Sequence, residues 1–462
     1  MPMSTQANIL WQDSDKIIGR PLHKALWSLA VPAVLSVFFT FVFEIIDMYW
    51  IGKLEAESIA ALGAASFFVW MLRGLGLTVA TGAIALVSRR TGEKNEPGLM
   101  AAITDSIGSS FLFSVLILAI FLPLALYVFR WLNLESTVAV LAKEYTVAFL
   151  TGLIFVYMMA TLEYIIRGIG DTRTPMIITG VSLLLNAVLD PVFIFILGMG
   201  LKGAAYATIL SQVVGAFLMA AVLFKKIPAL RQAYSRKNTS APGKSREFFR
   251  QFYAVIKIGG PVGVSDAGFS FIYLLLSWII SIFGKEPLAA LAIAHRLEGL
   301  LFFVCLGFSM AVAPMVGQFL GAGQPENAKK SAVLSLKITS IIILVISVLY
   351  FLFAPALFRI FTGDALIIGH GVDYIRTITI FELFLVFEVV LGGVFSGAGD
   401  TRPLFWVTIP LTAMRIPLSY ILAVLLGLGT MAIWWAIAFT MFLKGAILLY
   451  LFQKGRWLKK KI

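Results

Sequence analysis

Twelve stretches of this chain stay apolar over the roughly twenty residues that a helix, rising about 1.5 Å per residue, needs to cross bilayer hydrocarbon. Bounded by charges or by Gly and Pro clusters, they fall near 25–51, 57–88, 99–129, 137–166, 174–197, 203–224, 253–283, 287–319, 328–358, 368–396, 403–427 and 430–453. With 60% of residues hydrophobic and only 13% charged, the chain carries more apolar side chain than a soluble domain can bury. The expected fold is all-α and integral to the membrane, twelve transmembrane helices in two sets of six.

The two halves repeat each other. Gly-Asp-Thr-Arg occurs at Gly170 to Arg173 and again at Gly399 to Arg402, 229 positions later. Holding that offset without a gap lays Pro32 on Pro261, Ala60-Ala61-Leu62 on Ala289-Ala290-Leu291, Val87 on Val316, Gly92 on Gly321 and Tyr145 on Tyr374. Register kept over that distance marks a duplication. Each half has an even number of spans, so the two six-helix lobes run in the same direction, related by a pseudo-two-fold axis along the membrane normal. The expected units are an N-lobe over 1–224, a basic linker over 225–252 and a C-lobe over 253–462.

Loop charge sets the orientation. With the N-terminus inside, the cytoplasmic segments collect Lys16, Arg20, Lys24, Arg89, Arg90, Lys94, Arg167, Arg173, the linker, Lys329, Lys330, Arg402 and the tail from Lys454 to Lys461. Outside remain Lys53, Arg130, Lys202, Lys285 and Arg359. Both termini are therefore expected in the cytoplasm, with the chain a monomer in the plasma or inner membrane. The linker cations Arg231, Arg236, Lys237, Lys244, Arg246 and Arg250 serve topology first and anionic-lipid contact second. Asn238-Thr239-Ser240 matches a glycosylation acceptor but lies on the cytoplasmic side. The net charge of +13 does not make a nucleic-acid binder, because the cations sit between apolar runs rather than among aromatics on a soluble surface. One cysteine, Cys305, permits neither an intrachain disulfide nor a thiolate metal cluster. The polar N-terminal segment, followed by a run long enough to span, does not resemble a cleaved signal peptide.

Gly-Asp-Thr-Arg itself reads as punctuation: Gly170 ends the fourth span in a left-handed conformation, Thr174 caps the fifth and Pro175 suits its first turn. Gly198, Gly200 and Gly203 form a Gly-x-Gly-x-x-Gly, yet a dinucleotide site needs a preceding strand that this context lacks. Neither a Walker sequence nor a zinc-protease or serine-hydrolase motif occurs. No cofactor is expected. An intramembrane enzyme would have to rest on His295 and Glu298, without a nucleophile or metal set.

Charges inside the spans are the sharper signal, because each costs several kcal/mol at the bilayer centre and usually marks an ion or proton path. The first half has Glu44 and Asp47 on span 1, Arg73 on span 2, Glu163 on span 4 and Asp190 on span 5. Asn186 and Asp190, four apart, share one helix face, and Pro191 is expected to bend span 5 beside them. An amide, a carboxylate and a freed carbonyl make an oxygen-rich pocket suited to sodium or to a proton carried on the acid. Arg73 and Glu163 read as members of structural pairs. The second half has Asp266, His295, Arg296, Glu298, Arg376, Glu382, Glu388 and Arg415. A lone buried histidine such as His295 is more often packing than relay. At the 229 offset Asp47 meets Leu276, Asn186 meets Arg415, Asp190 meets Ser419 and Thr208 meets Ile437. The scaffold was duplicated and this polar cluster was not, which points to a dedicated ion site in the N-lobe.

Glu44-Ile-Ile-Asp-Met-Tyr-Trp-Ile-Gly52, Arg167-Gly-Ile-Gly-Asp-Thr-Arg-Thr-Pro-Met176, Asn186-Ala-Val-Leu-Asp-Pro-Val-Phe-Ile-Phe195 and Gly203-Ala-Ala-Tyr-Ala-Thr-Ile-Leu-Ser-Gln212, set in two six-helix lobes, resemble the multidrug and toxic compound extrusion (MATE) family over nearly the whole chain. The resemblance implies a secondary antiporter that expels organic, often cationic and amphipathic drugs in exchange for protons or sodium. The Asn-x-x-x-Asp-Pro pattern looks like the DinF-like branch. That implies an N-lobe coupling site of Asp47, Asn186, Asp190 and Thr208, able to hold H+ or Na+, with Tyr145 as hydrogen-bonding neighbour. Asp266, Glu382 and Glu388 are secondary candidates; the NorM-like branch relies on C-lobe acids in spans 7 and 10, whereas span 7 here has Asp266 near its start but no Glu where that branch places one, and Glu388 sits about a turn out of register. Phe155, Met158 and Met159 suggest adaptable cavity walls. The competing reading, a flippase for lipid-linked precursors from the wider superfamily, calls for a cationic central cavity, whereas the candidates here are acidic.

Overall fold

A computed structural model of the chain describes residues 3–131, 135–230 and 244–462, and no strand occurs among them. The segment 231–243, the middle of the expected linker with its Asn238-Thr239-Ser240, lies outside the described residues, as do the side chains of Arg130 and Lys244. A first helix, α1 (Met3–Ile18), precedes the spans. The N-lobe then comprises α2 (Leu22–Ile51), α3 (Ala56–Gly92), α4 (Glu96–Trp131), α5 (Ser136–Thr151), α6 (Leu153–Ile169), α7 (Arg173–Pro191) and α8 (Leu201–Lys226). The C-lobe comprises α9 (Lys244–Ser281), α10 (Lys285–Gly321), α11 (Pro325–Arg359), α12 (Ala365–Thr379), α13 (Glu382–Ala398), α14 (Arg402–Ala413), α15 (Arg415–Ser419) and α16 (Thr430–Gln453). Ten segments are long and apolar enough to cross a membrane, and two bent helix pairs complete the expected twelve. Helix α9 begins inside the segment read as linker.

The bends fall where no proline marks them. Spans 4 and 10 break by 52° between α5 and α6 and by 60° between α12 and α13. The breaks centre on Gly152 and Phe381, which correspond at the 229 offset. At Gly152 a Cβ would stand 2.4 Å from the Ile209 side chain, so only glycine lets α8 approach there. Pro191 does not break span 5. Helix α7 runs through it and continues as one π-helical turn, Val192–Ile196, whose wider hydrogen-bond spacing absorbs the missing N–H. The C-lobe makes the matching π turn at Tyr420–Leu425, where Tyr420 replaces the proline, so the turn belongs to the repeated scaffold.

The Gly-Asp-Thr-Arg turns are as read, with one correction. Gly170 (φ 111°) and Gly399 (φ 74°) end α6 and α13 in the left-handed region that suits glycine. The cap of α7 is Asp171 rather than Thr174: its Oδ1 accepts from the Thr174 backbone N–H at 3.0 Å and its Oδ2 from the Thr174 hydroxyl. Asp171 Oδ2 also accepts from Lys226 at 2.6 Å, as Asp400 does from Lys460 at 3.0 Å.

The lobes close against each other at the end that carries these turns. There the second half of α3 crosses the first half of α9 and the last turns of α10 at backbone contact. A Cβ on Gly259 would stand 1.7 Å from the Thr78 carbonyl oxygen, and one on Gly321 2.1 Å from that of Arg89. Gln318 donates to the Gly168 carbonyl at 2.9 Å and Arg89 to the Lys460 carbonyl at 3.0 Å, so the closed end is bonded as well as packed. One apolar cluster joins Val79, Ala85 and Leu86 to Val255 and Ile258. Toward the other end each lobe has its own core, Tyr145, Tyr157 and Phe149 in one and Tyr374, Trp434 and Phe358 in the other. The lobes thus form a V.

Helix α1 lies across the closed end. Trp11 packs on the N-lobe core and buried Ile17 on the C-lobe core. Asp13 accepts from Lys226 at 2.9 Å, and Lys94 reaches Asp15 at 3.0 Å. Burial alone would raise the Asp13 carboxyl, but its hydrogen bonds to Lys16 and Lys226 outweigh that and hold it below its ordinary range.

Candidate ion and substrate site

Spans 1 and 5 lie side by side and parallel, with Gly180 against Phe39, which sets Asp47 level with Val188, two residues from Asp190. The two carboxyl groups lie close enough to interact directly, although each is an acceptor when ionised. Asn186 Nδ2 donates to Asp190 Oδ1 at 2.7 Å, the i, i+4 geometry expected of one helix face. Asp47 Oδ1, Asp190 Oδ2 and Asn186 Oδ1 are buried without a hydrogen-bond partner. Three oxygens of this cluster, two of them from carboxyl groups, are thus left without a partner where a low dielectric makes unpaired charge expensive.

Tyr145 on α5 is buried and within electrostatic range of both acids. Thr208 is placed by helix packing: Gly203 of α8 lies against Phe193 and Gly215 against Ser182, so the antiparallel register sets Thr208 level with Val188 and Leu189, within a turn of Asp190. Arg73 of α3 stands near Glu44, Asp47 and Tyr145, its guanidinium 5.7 Å over the Phe149 ring. No ion pair of Arg73 with either acid occurs among the described residues, and its Nε is unpartnered. The expected structural pair is instead Glu163 with Arg167, one turn apart on α6, where Arg167 also reaches Ser36 of its own lobe and Met310 of the facing one. Met159 is buried against Gly215 and packs rather than lining a cavity, while Phe155 is exposed.

The C-lobe handles its charges differently. Glu388 receives the buried Lys444 at 2.7 Å and is itself partly buried. Arg415, at the position matching Asn186, donates to Thr440 Oγ1 at 2.8 Å and to the Tyr273 hydroxyl. Tyr374, matching Tyr145, donates to Glu298 at 2.9 Å. His295 packs edge-on to Tyr273 with ring centroids 5.1 Å apart, the packing role read for it. Glu382 is buried at the start of α13 with one oxygen unpartnered. Asp266 is not with them: it faces the other lobe, 2.9 Å from where a Cβ on Gly74 would sit. The three secondary acids therefore do not form one site. Lys444 was missed from the sequence, although it is the one charge in the span 430–453 and such a charge asks for a partner.

Two lobes of six spans each, closed at one end and holding polar clusters inside the helix bundles, are the architecture of a membrane transporter. The MatE family profile matches the chain twice, over residues 32–192 and 261–421, again displaced by 229. The chain belongs to the MatE family, a family of transporters and not of enzymes. It is 28% identical over 451 residues to the probable multidrug resistance protein NorM of Thermotoga maritima, covering 96% of this chain and 94% of that one. It is 28% identical over 423 residues to human multidrug and toxin extrusion protein 1, covering 89% of this chain and 71% of the human one. Among solved structures, a MOP-superfamily transporter from Pyrococcus furiosus superposes with a TM-score of 0.85 at 25% identity, covering all of both chains.

Proposed function

We propose that the protein is a secondary multidrug efflux antiporter, exporting organic cations and other amphipathic small molecules in exchange for protons or sodium. The observation that carries this reading is the contact between the Asp47 and Asp190 carboxyls with no cation of the protein between them. Like charges held together in a low dielectric repel strongly, so the pair calls for a bound cation, either a proton shared between the acids or a sodium ion. Asn186, Thr208 and the orphaned oxygens are hard donors that suit either. Tyr145 is buried within electrostatic range of the pair.

Span 5 is the element that the cation would bias. Asp190 sits just ahead of Pro191 and the π turn, so neutralising its charge changes what the least regular part of the helix must accommodate. In the occupied state Asp47 and Asp190 hold spans 1 and 5 together, and losing the cation drives them apart. With the basic end taken as cytoplasmic, the closed end described above makes this an outward-facing form. Glu44 and Asp266, both exposed, favour cationic over anionic cargo and speak against a pyrophosphate-linked substrate.

Dye efflux from proteoliposomes, with proton and sodium gradients imposed separately, tests the proposal. Efflux accelerated by one of the two gradients is the expected result. Efflux indifferent to both would remove the antiporter reading.

A further inference from the structure

Outside the transport site, a groove of about 610 Å³ opens between α11, α13 and α16, remote from the carboxyl pair. Its floor is apolar, formed by Val333, Leu336, Ile341, Phe387, Leu449 and Phe452. Its rim is not. Lys329 and Lys337 stand over it from α11, joined by Ser340 and by Gln453 at the end of α16. Both lysines are exposed, and neither has a hydrogen bond or ion pair among the described residues.

The sequence of α11 fixes the depth of this rim. From Ile338 to Phe358 the helix carries no charge, and Lys337 and Arg359 bracket that run. Twenty-two residues at a helical rise separate them by about 33 Å, close to the hydrocarbon thickness of about 30 Å. Lys337 therefore sits at one headgroup level and Arg359 at the other. Lys329 lies two turns beyond Lys337, on the water side. Lys330, Lys454, Arg456 and Lys459 are also exposed at the ends of these helices, with the exposed acid Glu326 in the first turn of α11. An apolar floor continuing into hydrocarbon beneath a pair of unpartnered cations matches one occupant, a lipid with a negatively charged headgroup.

We propose that this groove is a binding site for an acidic phospholipid, its phosphate held between Lys329 and Lys337 and one acyl chain lying along Leu336, Ile341, Phe387 and Leu449. A zwitterionic lipid fits the floor equally but brings its own cation to the rim, so the site discriminates by headgroup charge.

The test uses the full chain, exchanged into equimolar phosphatidylglycerol and phosphatidylcholine, with retained lipid counted by native mass spectrometry. The wild type should retain phosphatidylglycerol with roughly tenfold enrichment, from two cations acting near the surface. Lys329→Gln with Lys337→Gln should reduce that to near parity. Lys285→Gln with Arg359→Gln, two cations removed at the opposite edge, should leave it intact. Equal retention of both lipids by the wild type would overturn the proposal, and so would undiminished enrichment in the Lys329/Lys337 variant. An equal loss in both double variants would also overturn it, assigning the preference to net charge rather than to the groove.

Discussion

The two lobes share a backbone and treat the charges on their fifth and sixth spans differently, while Glu382 of the C-lobe, on span 10, also keeps one oxygen unpartnered. In the C-lobe, Lys444 neutralises Glu388, and Arg415 takes the place of Asn186 and satisfies itself on Thr440 and Tyr273. In the N-lobe, Asp47 and Asp190 face each other with orphaned oxygens and Arg73 stands off unpaired. A self-compensated cluster is what a scaffold needs. An uncompensated one is what a carrier of cations needs, because the missing charge arrives and leaves with the transport cycle.

The largest effect that would sharpen this contrast is on transport. Asp190→Asn is expected to reduce gradient-driven dye efflux to the protein-free background while leaving thermal stability unchanged or higher, since it removes an uncompensated charge. The C-lobe should behave in the opposite sense. Lys444→Met strands Glu388 in the interior and should cost about 3–5 kcal/mol of stability, with most of it recovered in the Lys444→Met, Glu388→Gln double variant. Thermal denaturation in detergent reads both. If Lys444→Met were silent, the C-lobe pair would not be the compensated cluster described here.

Smaller effects probe the closed end. Gly321→Leu forces a side chain onto the Arg89 backbone and should disfavour closure by about 1–3 kcal/mol. A cysteine at Ser88, in a Cys305→Ala background, should then label faster from the basic end than the same cysteine beside Gly321. The smallest effect belongs to α1. Its folded-state carboxyl at Asp13 is depressed, so its contribution is present at neutral pH and is lost as pH falls below the ordinary value of 3.8. Asp13→Asn should mimic that loss at neutral pH, by less than about 1 kcal/mol. Hydrogen exchange confined to α1 is the readout.

The sequence carried the fold a long way because hydrophobic length and internal repetition are both local signals. The twelve spans and the left-handed ends at Gly170 and Gly399 needed nothing beyond them. The breaks at Gly152 and Phe381 escaped because they depend on how α8 and α16 press on their neighbours, and neither position carries a proline. Helix α1 escaped because its apolar face is completed only by contacts with both lobes, Trp11 on one and Ile17 on the other. Pro191 misled for a related reason: a proline predicts a lost hydrogen bond, but not that a π turn stands ready to absorb it. At the site, the helical spacing of Asn186 and Asp190 predicted their contact. The approach of Asp47 to Asp190 across two helices emerged only with the packing of span 1 on span 5.

The central claim is that the Asp47–Asp190 pair carries the exchangeable cation. It is tested most directly by adding a transported dye to purified protein in weakly buffered, sodium-controlled solution and following released protons and sodium. Wild type and the Lys444→Met, Glu388→Gln variant should each release one of the two ions on dye binding, and Asp190→Asn should release neither. Undiminished release from Asp190→Asn, with release lost in the C-lobe variant, would contradict the account and move the coupling site to the other lobe.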